Sequence, residues 1–396
     1  MYNETVMARA TIEQKLDLLG EQARYDVSAP GSRPAEAIGA HQSTDCTLTG
    51  LERCIYPAAA GGRCMPVLKV LMTNACRNNC AYCALSAGTD TPRAAFRPEE
   101  LAHAFIEMER RGLVQGLFLS SAIPSDADDA QALIVDTAKI LRRRYGYQGY
   151  MHLKILPGAS DPAIEETVRL ASRVSVNLEA PSADRLARIA PDKDFSRELL
   201  GTLQKAVRHA AAVGMPSGVT TQYVAGAAGE TDAELLHTSF RLYRSLGLRR
   251  VYYSAFQPVA GTPLDGLPAT PEIRERRLYQ ADYLVRQYGF TVDELVFSAD
   301  GSLPLDRDPK LAWAAAHSEF FPLEVNTAGR EELLRVPGFG PVAVGRILAA
   351  RRQGRLTDSR QLSFFGVRLT KAAPFITIGG RRVAGSVGQL SLLADD

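Results

Sequence analysis

The sequence predicts an α/β protein with a parallel β-sheet, followed by a small helical domain. Three observations support this prediction. Six short runs rich in Val, Ile, Leu and Tyr alternate with amphipathic helical stretches between residues 67 and 256. Three cysteines stand directly behind the first of these runs. Beyond residue 324, an arginine-rich segment carries a Pro-Gly turn between two helical patterns.

The six runs are typical of strands because each is short and bounded by turn residues. They cover residues 67–73, 116–121, 150–156, 173–179, 218–224 and 250–256. The stretches between them have acidic first turns and end at glycine, which is typical of helices. Six strand–helix units in sequence predict a parallel sheet with right-handed crossovers. A doubly wound sheet and a complete or partial barrel both fit that count.

The predicted organisation has five parts along the 396-residue chain, more than a typical single domain needs. They are an N-terminal extension (1–64, with a helix near 13–24), a sheet domain (65–300), a proline-rich linker (301–323), a basic helical module (324–384) and a tail (385–396). No apolar run approaches the ~20 residues of a membrane span. The N-terminus also lacks the apolar core of a secretory signal. We therefore expect a cytoplasmic protein with no membrane partner and with reduced thiols.

Clustered thiols in a reducing compartment point to metal binding or catalysis before disulfides. Cys76, Cys80 and Cys83 have the spacing C-x3-C-x2-C. A structural zinc site usually needs four ligands, but only one C-x2-C pair is present and no His is nearby. Cubane iron–sulfur clusters normally take four thiolates, so a triplet would leave one iron open to a small chelating ligand. Zinc, or three cysteines that bind nothing, remain alternatives.

This motif, behind the first strand and with Tyr82 before its last cysteine, resembles that of the radical S-adenosylmethionine (SAM) superfamily. The resemblance implies a partial (βα)6 TIM-like barrel whose three thiolates hold a [4Fe–4S] cluster. It also implies that SAM chelates the fourth iron and is reductively cleaved to methionine and a 5′-deoxyadenosyl radical. An electron donor such as flavodoxin or ferredoxin would supply the electron.

The resemblance also implies where SAM binds, because functional residues of parallel barrels lie at the carboxyl ends of strands. Ser120 and Ser121 end the second strand, and Asn177 and Glu179 share one face at the end of the fourth. Lys154 would pair with the SAM carboxylate or a substrate phosphate, or would extend to the barrel rim as an ordinary lysine. The predicted SAM residues are Tyr82, Ser120, Ser121, Lys154, Asn177, Glu179, Val224 and Gly226.

The other three cysteines, Cys46, Cys54 and Cys64, match no metal motif in their spacing. They precede the first strand, so Cys54 and Cys64 are candidate ligands of an auxiliary metal or cluster near the barrel mouth. Cysteines that bind nothing and pack as small apolar residues are the alternative.

The basic module carries the clearest charge signal in the chain. Between Arg330 and Arg382, 11 Lys and Arg stand against 3 Asp and Glu, a local charge of +8 in a chain of net charge +2. The motif "VPGFG" joins two helical patterns, and a weaker copy contains "FFGV". Together they resemble a tandem helix-hairpin-helix domain, which holds nucleic-acid phosphates with little sequence readout. The predicted contacts are Gly338, Phe339, Gly340, Arg346, Arg351, Arg352 and Lys371. A hairpin that serves protein contacts or packing is the alternative.

Several phrases, including "ARYDVS", "GYMHLKILPG" and "RVPGFGPVAVGRIL", extend the resemblance over roughly residues 12–380. They are similar to radical SAM proteins of DNA modification and repair, which are associated with a partner related to uracil-DNA glycosylase. We therefore expect a radical SAM enzyme that acts on DNA. A radical SAM enzyme of tRNA or other RNA, a non-enzymatic iron–sulfur adaptor that binds nucleic acid, and a sulfur-inserting enzyme of small molecules are the alternatives.

Overall fold

The computed structural model describes residues 10–23, 54–60 and 63–383. The chain divides into two compact units. The first runs to Glu230 and resumes over Arg241–Pro271, whereas the second comprises Thr231–Phe240 and the chain from Glu272 onward. The predicted boundary at residue 300 therefore lies well inside the second unit. Among the described residues, no helix has the length and apolar character needed to cross a membrane.

The first unit alternates strands and helices as the sequence predicts. Its strands are β1 (Ile55–Ala60), β2 (Arg63–Leu71), β3 (Gly116–Ser120), β4 (Tyr150–Lys154), β5 (Arg173–Ser175), β6 (Val219–Ala225) and β7 (Arg250–Ala255). Its helices are α1 (Ile12–Gln22), α2 (Pro98–Arg110), α3 (Ala127–Lys139), α4 (Asp161–Leu170), α5 (Ala183–Ile189) and α6 (Gly201–Ala212). Helix α7 (Asp232–Leu246), which contributes residues to both units, connects β6 to β7.

The strands form one curled half-barrel sheet in the order β1 to β7. Strands β2 to β7 are parallel neighbours, which confirms the predicted partial barrel of six strand–helix units. The sequence did not predict β1, which pairs antiparallel with β2 at the sheet edge, inside the segment interpreted as an extension.

Side-chain alternation gives the sheet two different faces. Leu68, Leu117 and Met151 face the helices and join one apolar core with Phe105 and Ile134. The alternate positions point to the opposite, concave face, and many of them are polar. Because parallel strands end at the same edge, the loops that follow them meet above this concave face.

The second unit contains helices and a small sheet. Its helices are α8 (Glu272–Tyr288), α9 (Pro309–Ala316), α10 (Arg330–Arg335), α11 (Pro341–Arg351), α12 (Ser359–Phe364) and α13 (Leu369–Ala372). Strands β8 (Leu323–Glu324), β9 (Ile376–Ile378) and β10 (Arg381–Arg382) form a three-stranded sheet. The prediction of an all-α C-terminal domain is therefore wrong, because strands of two or three residues leave no periodic signal in a sequence.

Two short helical hairpins, α10–α11 and α12–α13, pack against each other through their turns. Gly338 adopts a φ of 83°, and a Cβ there would lie 2.8 Å from the carbonyl oxygen of Arg368. The N–H of Arg368 donates to the carbonyl of Gly338 at 3.4 Å. Position 338 therefore requires glycine both for its backbone conformation and for this close approach.

A buried lysine anchors the turn of the first hairpin. The Nζ of Lys310 donates to the carbonyl oxygen of Phe339 at 2.7 Å and lies 4.6 Å from the ring centroid of Tyr288. Burial lowers the pKa of Lys310 to about 7, although the nearby carboxylate of Asp308 opposes the shift. The folded state is thus destabilised by desolvation whenever the Lys310 amine is charged.

We expect Lys310→Met to change how stability depends on pH. In the unfolded chain Lys310 stays protonated up to about pH 10.4, so the unfolded state binds more protons between pH 7 and that value. The free energy of unfolding of the wild type should therefore rise with pH across this window. The free-energy cost of burying the charged Lys310 amine should be fully present below pH 7. Chemical denaturation at several pH values measures the free energy of unfolding of both proteins. The value for the wild type minus that for the variant should increase between pH 7 and pH 10 by about a few kcal/mol, as a pKa shift of this size implies. A constant difference would contradict the burial argument.

Candidate functional site

The cysteine loop follows β2, and its backbone N–H groups hold it in place by donating hydrogen bonds to neighbouring segments. The N–H of Arg77 donates to the carbonyl of Ile123 at 2.8 Å, and the N–H of Ala81 donates to that of Ile189 at 2.7 Å. The N–H of Asn79 donates to the Asp192 carboxylate at 2.9 Å. The loop is therefore fixed between the segment after β3 and the end of α5 with the residues that follow it.

The three thiols of this loop influence one another electrostatically. Burial, then the neighbouring Cys80, raises the pKa of Cys83 to about 12, with a smaller contribution from Cys76. Burial also raises the pKa of Cys80. The N–H of Leu85 lies 3.4 Å from the Cys83 Sγ, and such a hydrogen bond favours a thiolate. Three neighbouring thiols, of which Cys80 is buried, next to a hydrogen-bond donor suit a thiolate-bound iron–sulfur cluster.

Within the described residues, no three His, Cys, Asp or Glu side chains are grouped so as to hold a metal ion. The cluster at these thiols and the zinc alternative both stay predictions.

Lys193 is a residue of this site that the sequence did not indicate. Its ammonium group hydrogen-bonds with the Cys80 thiol, and the site also includes Glu179. Burial opposes the charge, but Cys80 and Glu179 outweigh it and raise the pKa of Lys193. Lys193 thus places a positive charge beside groups that become negative when they bind a metal.

Glu179 lies at the centre of the predicted SAM residues and has an unusual backbone. Its φ is 62°, a left-handed conformation that non-glycine residues rarely adopt. Hydrogen bonds fix it there: its N–H donates to Gln222 at 3.0 Å, and its carbonyl accepts from Val224 at 2.9 Å. Its carboxylate accepts a hydrogen bond from the Tyr82 hydroxyl. Burial, then Glu179, raises the pKa of Tyr82 well above its ordinary value. The structure thus brings Tyr82 and Glu179 together.

Lys154 and Asn177 also meet, since the Lys154 Nζ donates to the Asn177 Oδ1 at 2.5 Å. Both are buried, so the interpretation of Lys154 as a lysine extended to the rim is wrong. An amine and an amide therefore lie side by side at this edge, and their contact with SAM stays a prediction.

The remaining predicted SAM residues lie near the carboxyl ends of β3 and β6, in these strands or just beyond them. Ser120 ends β3, and the hydroxyl of Ser121 donates to the carbonyl of Ala122 at 2.7 Å. Val224 lies in β6, and the N–H of Gly226 donates to the Glu230 carboxylate, which also accepts from the Ala228 N–H at 3.0 Å. Glu230 therefore shapes the glycine turn, a role that the sequence prediction did not include.

The predicted auxiliary ligands have a different environment. Cys54 is buried in the apolar core against Gly20 of α1, where its side chain leaves no room for a Cβ. Burial raises the pKa of Cys54 to about 12, as it does for Cys83. The placement favours a packing role for Cys54. Cys46 and the side chain of Cys64 lie outside the described residues.

The predicted nucleic-acid contacts in the second unit fall into two groups. Arg346 on α11 and Arg352, directly after α11, are exposed. The Phe339 side chain is only 1% exposed, so the prediction that it contacts nucleic acid is wrong. It fills the core of the hairpin, as an apolar turn residue between two short helices must.

Two further predicted contacts already have protein partners. An Nη1 of Arg351 donates to the carbonyl of Ala328 at 2.5 Å. The Lys371 Nζ pairs with the Asp308 carboxylate at 2.8 Å, which lowers the charge available to a phosphate. Gly338 faces Arg368, and Gly340 caps the start of α11. Arg346, which donates to the carbonyl of Phe365 at 3.3 Å, and Arg352 are exposed, as are Arg330, Arg355, Arg368, Arg381 and Arg382.

Comparison with known families agrees with this geometry. Residues 70–242 match the model of the radical SAM superfamily. The matched region includes the cysteine loop and strands β3 to β6. The radical SAM superfamily implies a [4Fe–4S] cluster and SAM as cofactors.

Solved structures with partial similarity include two of HydG and one of methylornithine synthase. HydG, a maturase of the [FeFe]-hydrogenase, is 15% identical with a TM-score of 0.44, over 54% of this chain and 48% of that one. HydG from Carboxydothermus hydrogenoformans is 12% identical with a TM-score of 0.45, over 54% and 50%. Methylornithine synthase (PylB) is 14% identical with a TM-score of 0.43, over 53% and 58%. This chain thus covers about half of each structure, and no curated protein matches it.

We expect Cys76→Ala, Cys80→Ala and Cys83→Ala each to abolish loading of the cluster, because a three-thiolate site has no spare ligand. Iron and sulfide analysis after anaerobic reconstitution should give about four irons per wild-type chain, as a cubane requires. Cys54→Ala is the matched control and should keep the wild-type iron content. A Cys80→Ala protein with full iron content would refute its role as a ligand.

Proposed function

We propose that this protein is a radical SAM enzyme that modifies or repairs DNA. The observation that carries the first part is the convergence of Cys76, Cys80 and Cys83 on one loop at the carboxyl edge of the half-barrel. Action on DNA is supported by the +8 charge between Arg330 and Arg382 and by the paired hairpins that carry this charge.

The residues around the cysteine loop have distinct roles in this proposal. When bound, the cluster and SAM supply the electron and the 5′-deoxyadenosyl group for hydrogen abstraction. Lys193 stabilises negative charge at the thiolates, and Glu179 accepts hydrogen bonds from SAM hydroxyl groups. Lys154, oriented by Asn177, donates to a carboxylate or phosphate. Buried surroundings strengthen each of these interactions because competing water is excluded.

The second unit would hold the nucleic acid through its phosphates. Backbone N–H groups at the start of α11 and the guanidinium groups of Arg346 and Arg352 suit phosphate oxygens. An enzyme that acts on a base must expose it, either by flipping it or by choosing single strands. Phe364, 83% exposed at the end of α12, is an apolar surface on which an exposed base would stack.

Two kinds of partner belong to the proposal. A reductant such as flavodoxin or ferredoxin supplies the electron, and a protein related to uracil-DNA glycosylase would act on the same DNA. Both follow from the resemblance of the sequence.

Transfer of label tests the enzymatic part. Reconstituted protein, SAM and a strong reductant are incubated without oxygen with deuterated DNA, and 5′-deoxyadenosine is analysed by mass spectrometry. We expect 5′-deoxyadenosine that contains deuterium from the DNA, and none from the Cys80→Ala protein. Formation of no 5′-deoxyadenosine at all would support the non-enzymatic adaptor instead. Deuterium acquired only from labelled RNA would identify an RNA-modifying enzyme.

We expect the double variant Arg346→Gln/Arg352→Gln to bind DNA about tenfold more weakly than the wild type. The slope of log affinity against log salt concentration should also become shallower, by the amount expected for the loss of about two phosphate contacts. Fluorescence anisotropy with DNA and RNA of one sequence, at matched salt, measures both effects. Arg360→Gln is the matched control, since Arg360 is exposed but pairs with Asp358 at 2.7 Å. Equal affinities of the double variant and the wild type would remove the module from nucleic-acid binding.

A further inference from the structure

Arg93 binds both ends of the cysteine loop through one guanidinium group. Its Nη1 donates to the carbonyl oxygens of Asn74 at 2.6 Å and of Leu85 at 3.1 Å. Its Nη2 donates to the carbonyl oxygen of Ser86 at 2.8 Å and to the carbonyl and hydroxyl oxygens of Thr89, both at 3.1 Å. The guanidinium therefore joins the segment before the three cysteines to the segment after them.

The backbone on either side of Arg93 is fixed by Asn74, which is fully buried. The side-chain Oδ1 of Asn74 accepts from the N–H of Ala94 at 2.8 Å, and its Nδ2 donates to the carbonyl of Pro92 at 2.7 Å. Arg93 thus extends from a backbone with a defined position at the end of β2. Its side chain does not have to be ordered by a ligand.

Two of the carbonyl groups that Arg93 binds depend on it for a hydrogen bond. Asn74 and Leu85 are buried, and among the described residues their carbonyl oxygens accept from Arg93 alone. A buried carbonyl that loses its donor destabilises the conformation that keeps it buried. The closed form of the cysteine loop is therefore tied to this one side chain.

The same bridge acts on the backbone that holds Cys83. The N–H of Leu85 lies 3.4 Å from the Cys83 Sγ, and the N–H of Ser86 donates to the Cys83 carbonyl at 3.0 Å. The carbonyl of Leu85 and the N–H of Ser86 belong to one planar peptide group, so a fixed carbonyl also fixes the direction of that N–H. By binding the carbonyl of Leu85, Arg93 orients a group that positions Cys83.

Arg93 also brings a positive charge to the loop. Its five hydrogen bonds all end on neutral oxygens, which do not cancel that charge. The guanidinium group stays protonated in proteins, and Arg93 is half-buried, which limits screening by water. A thiolate-bound cluster becomes more negative on reduction, and a nearby positive charge favours the reduced form.

We propose that Arg93 is a positioning residue of the cluster site, which closes the cysteine loop so that it retains the cluster and raises the reduction potential of that cluster. This inference rests on the proposed function, because it concerns the [4Fe–4S] cluster of the proposed enzyme. It goes beyond that function, which assigns positive charge at the thiolates to Lys193 and gives Arg93 no role. Arg93 acts through the backbone of Asn74, Leu85 and Ser86.

Retention of iron by the reconstituted full chain tests the closing of the loop. Arg93→Gln removes both the charge and the forked donor, whereas Arg93→Lys keeps the charge on a single nitrogen that cannot reach both ends of the loop. We expect both variants to release iron to a chelator about tenfold faster than the wild type, as is typical for the loss of a residue that orients metal ligands. Arg97→Gln is the control and should match the wild type, since Arg97 is 79% exposed and pairs with Glu100 at 3.2 Å.

The reduction potential separates this role from that of an ordinary structural residue. Anaerobic redox titration followed by electron paramagnetic resonance gives the ratio of reduced to oxidised cluster at a fixed potential. We expect this ratio to be about tenfold lower in Arg93→Gln than in the wild type, because a positive charge near the cluster is lost. Arg93→Lys should stay close to the wild type. Equal ratios in Arg93→Gln and the wild type would overturn the proposal.

Hydrogen exchange of the cluster-free protein shows where the variants are loosened. We expect faster exchange of residues 75–91 in both Arg93 variants and unchanged exchange in β3 and β4. Exchange that rises equally in these strands would make Arg93 a residue of the fold as a whole and would overturn the proposal, as would unchanged iron retention. A wild-type protein that binds neither iron nor sulfide would refute the cluster of the proposed function and this role together. A wild type that loads normally beside unaffected variants would refute only the role of Arg93.

Discussion

The candidate centre depends on the hydrogen bonds that hold the cysteine loop. A loop between Leu71 and Pro98 with no regular structure would explore many conformations, and three thiols would then rarely converge. Donation from Arg77, Asn79 and Ala81 to two neighbouring loops removes this freedom. Those acceptors are in position only because parallel strands end at one edge. The register of the sheet therefore also determines where the three thiols lie.

The sequence reveals those features whose signal is local. Alternating apolar runs predict six parallel strands, and the spacing of Cys76, Cys80 and Cys83 predicts the loop chemistry. Strand β1 gives no such signal, since Pro57 and several alanines interrupt the pattern typical of strands. Lys193 lies 110 residues from Cys83 and belongs to no motif, so only the folded chain brings it to the thiols. The left-handed backbone of Glu179 is equally invisible, because a glutamate is among the residues least expected there.

The second unit shows how a motif can predict a helical hairpin and misassign its residues. "VPGFG" predicts a hairpin correctly, but its phenylalanine is a core residue and its first glycine contacts the second hairpin. Lys310 then fixes the turn through the carbonyl of Phe339. The two hairpins and α9 consequently behave as one packed body, and charge for a polyanion is left to exposed arginines such as Arg346, Arg352 and Arg368.

The left-handed conformation of Glu179 links thermal stability to activity at a single position. Glycine or asparagine would relax this backbone and stabilise the fold, yet neither carries the carboxylate that meets Tyr82. Directed evolution toward heat resistance would thus tend to select residues here that the chemistry cannot use. Engineers who seek a more robust protein should leave this residue unchanged and search elsewhere.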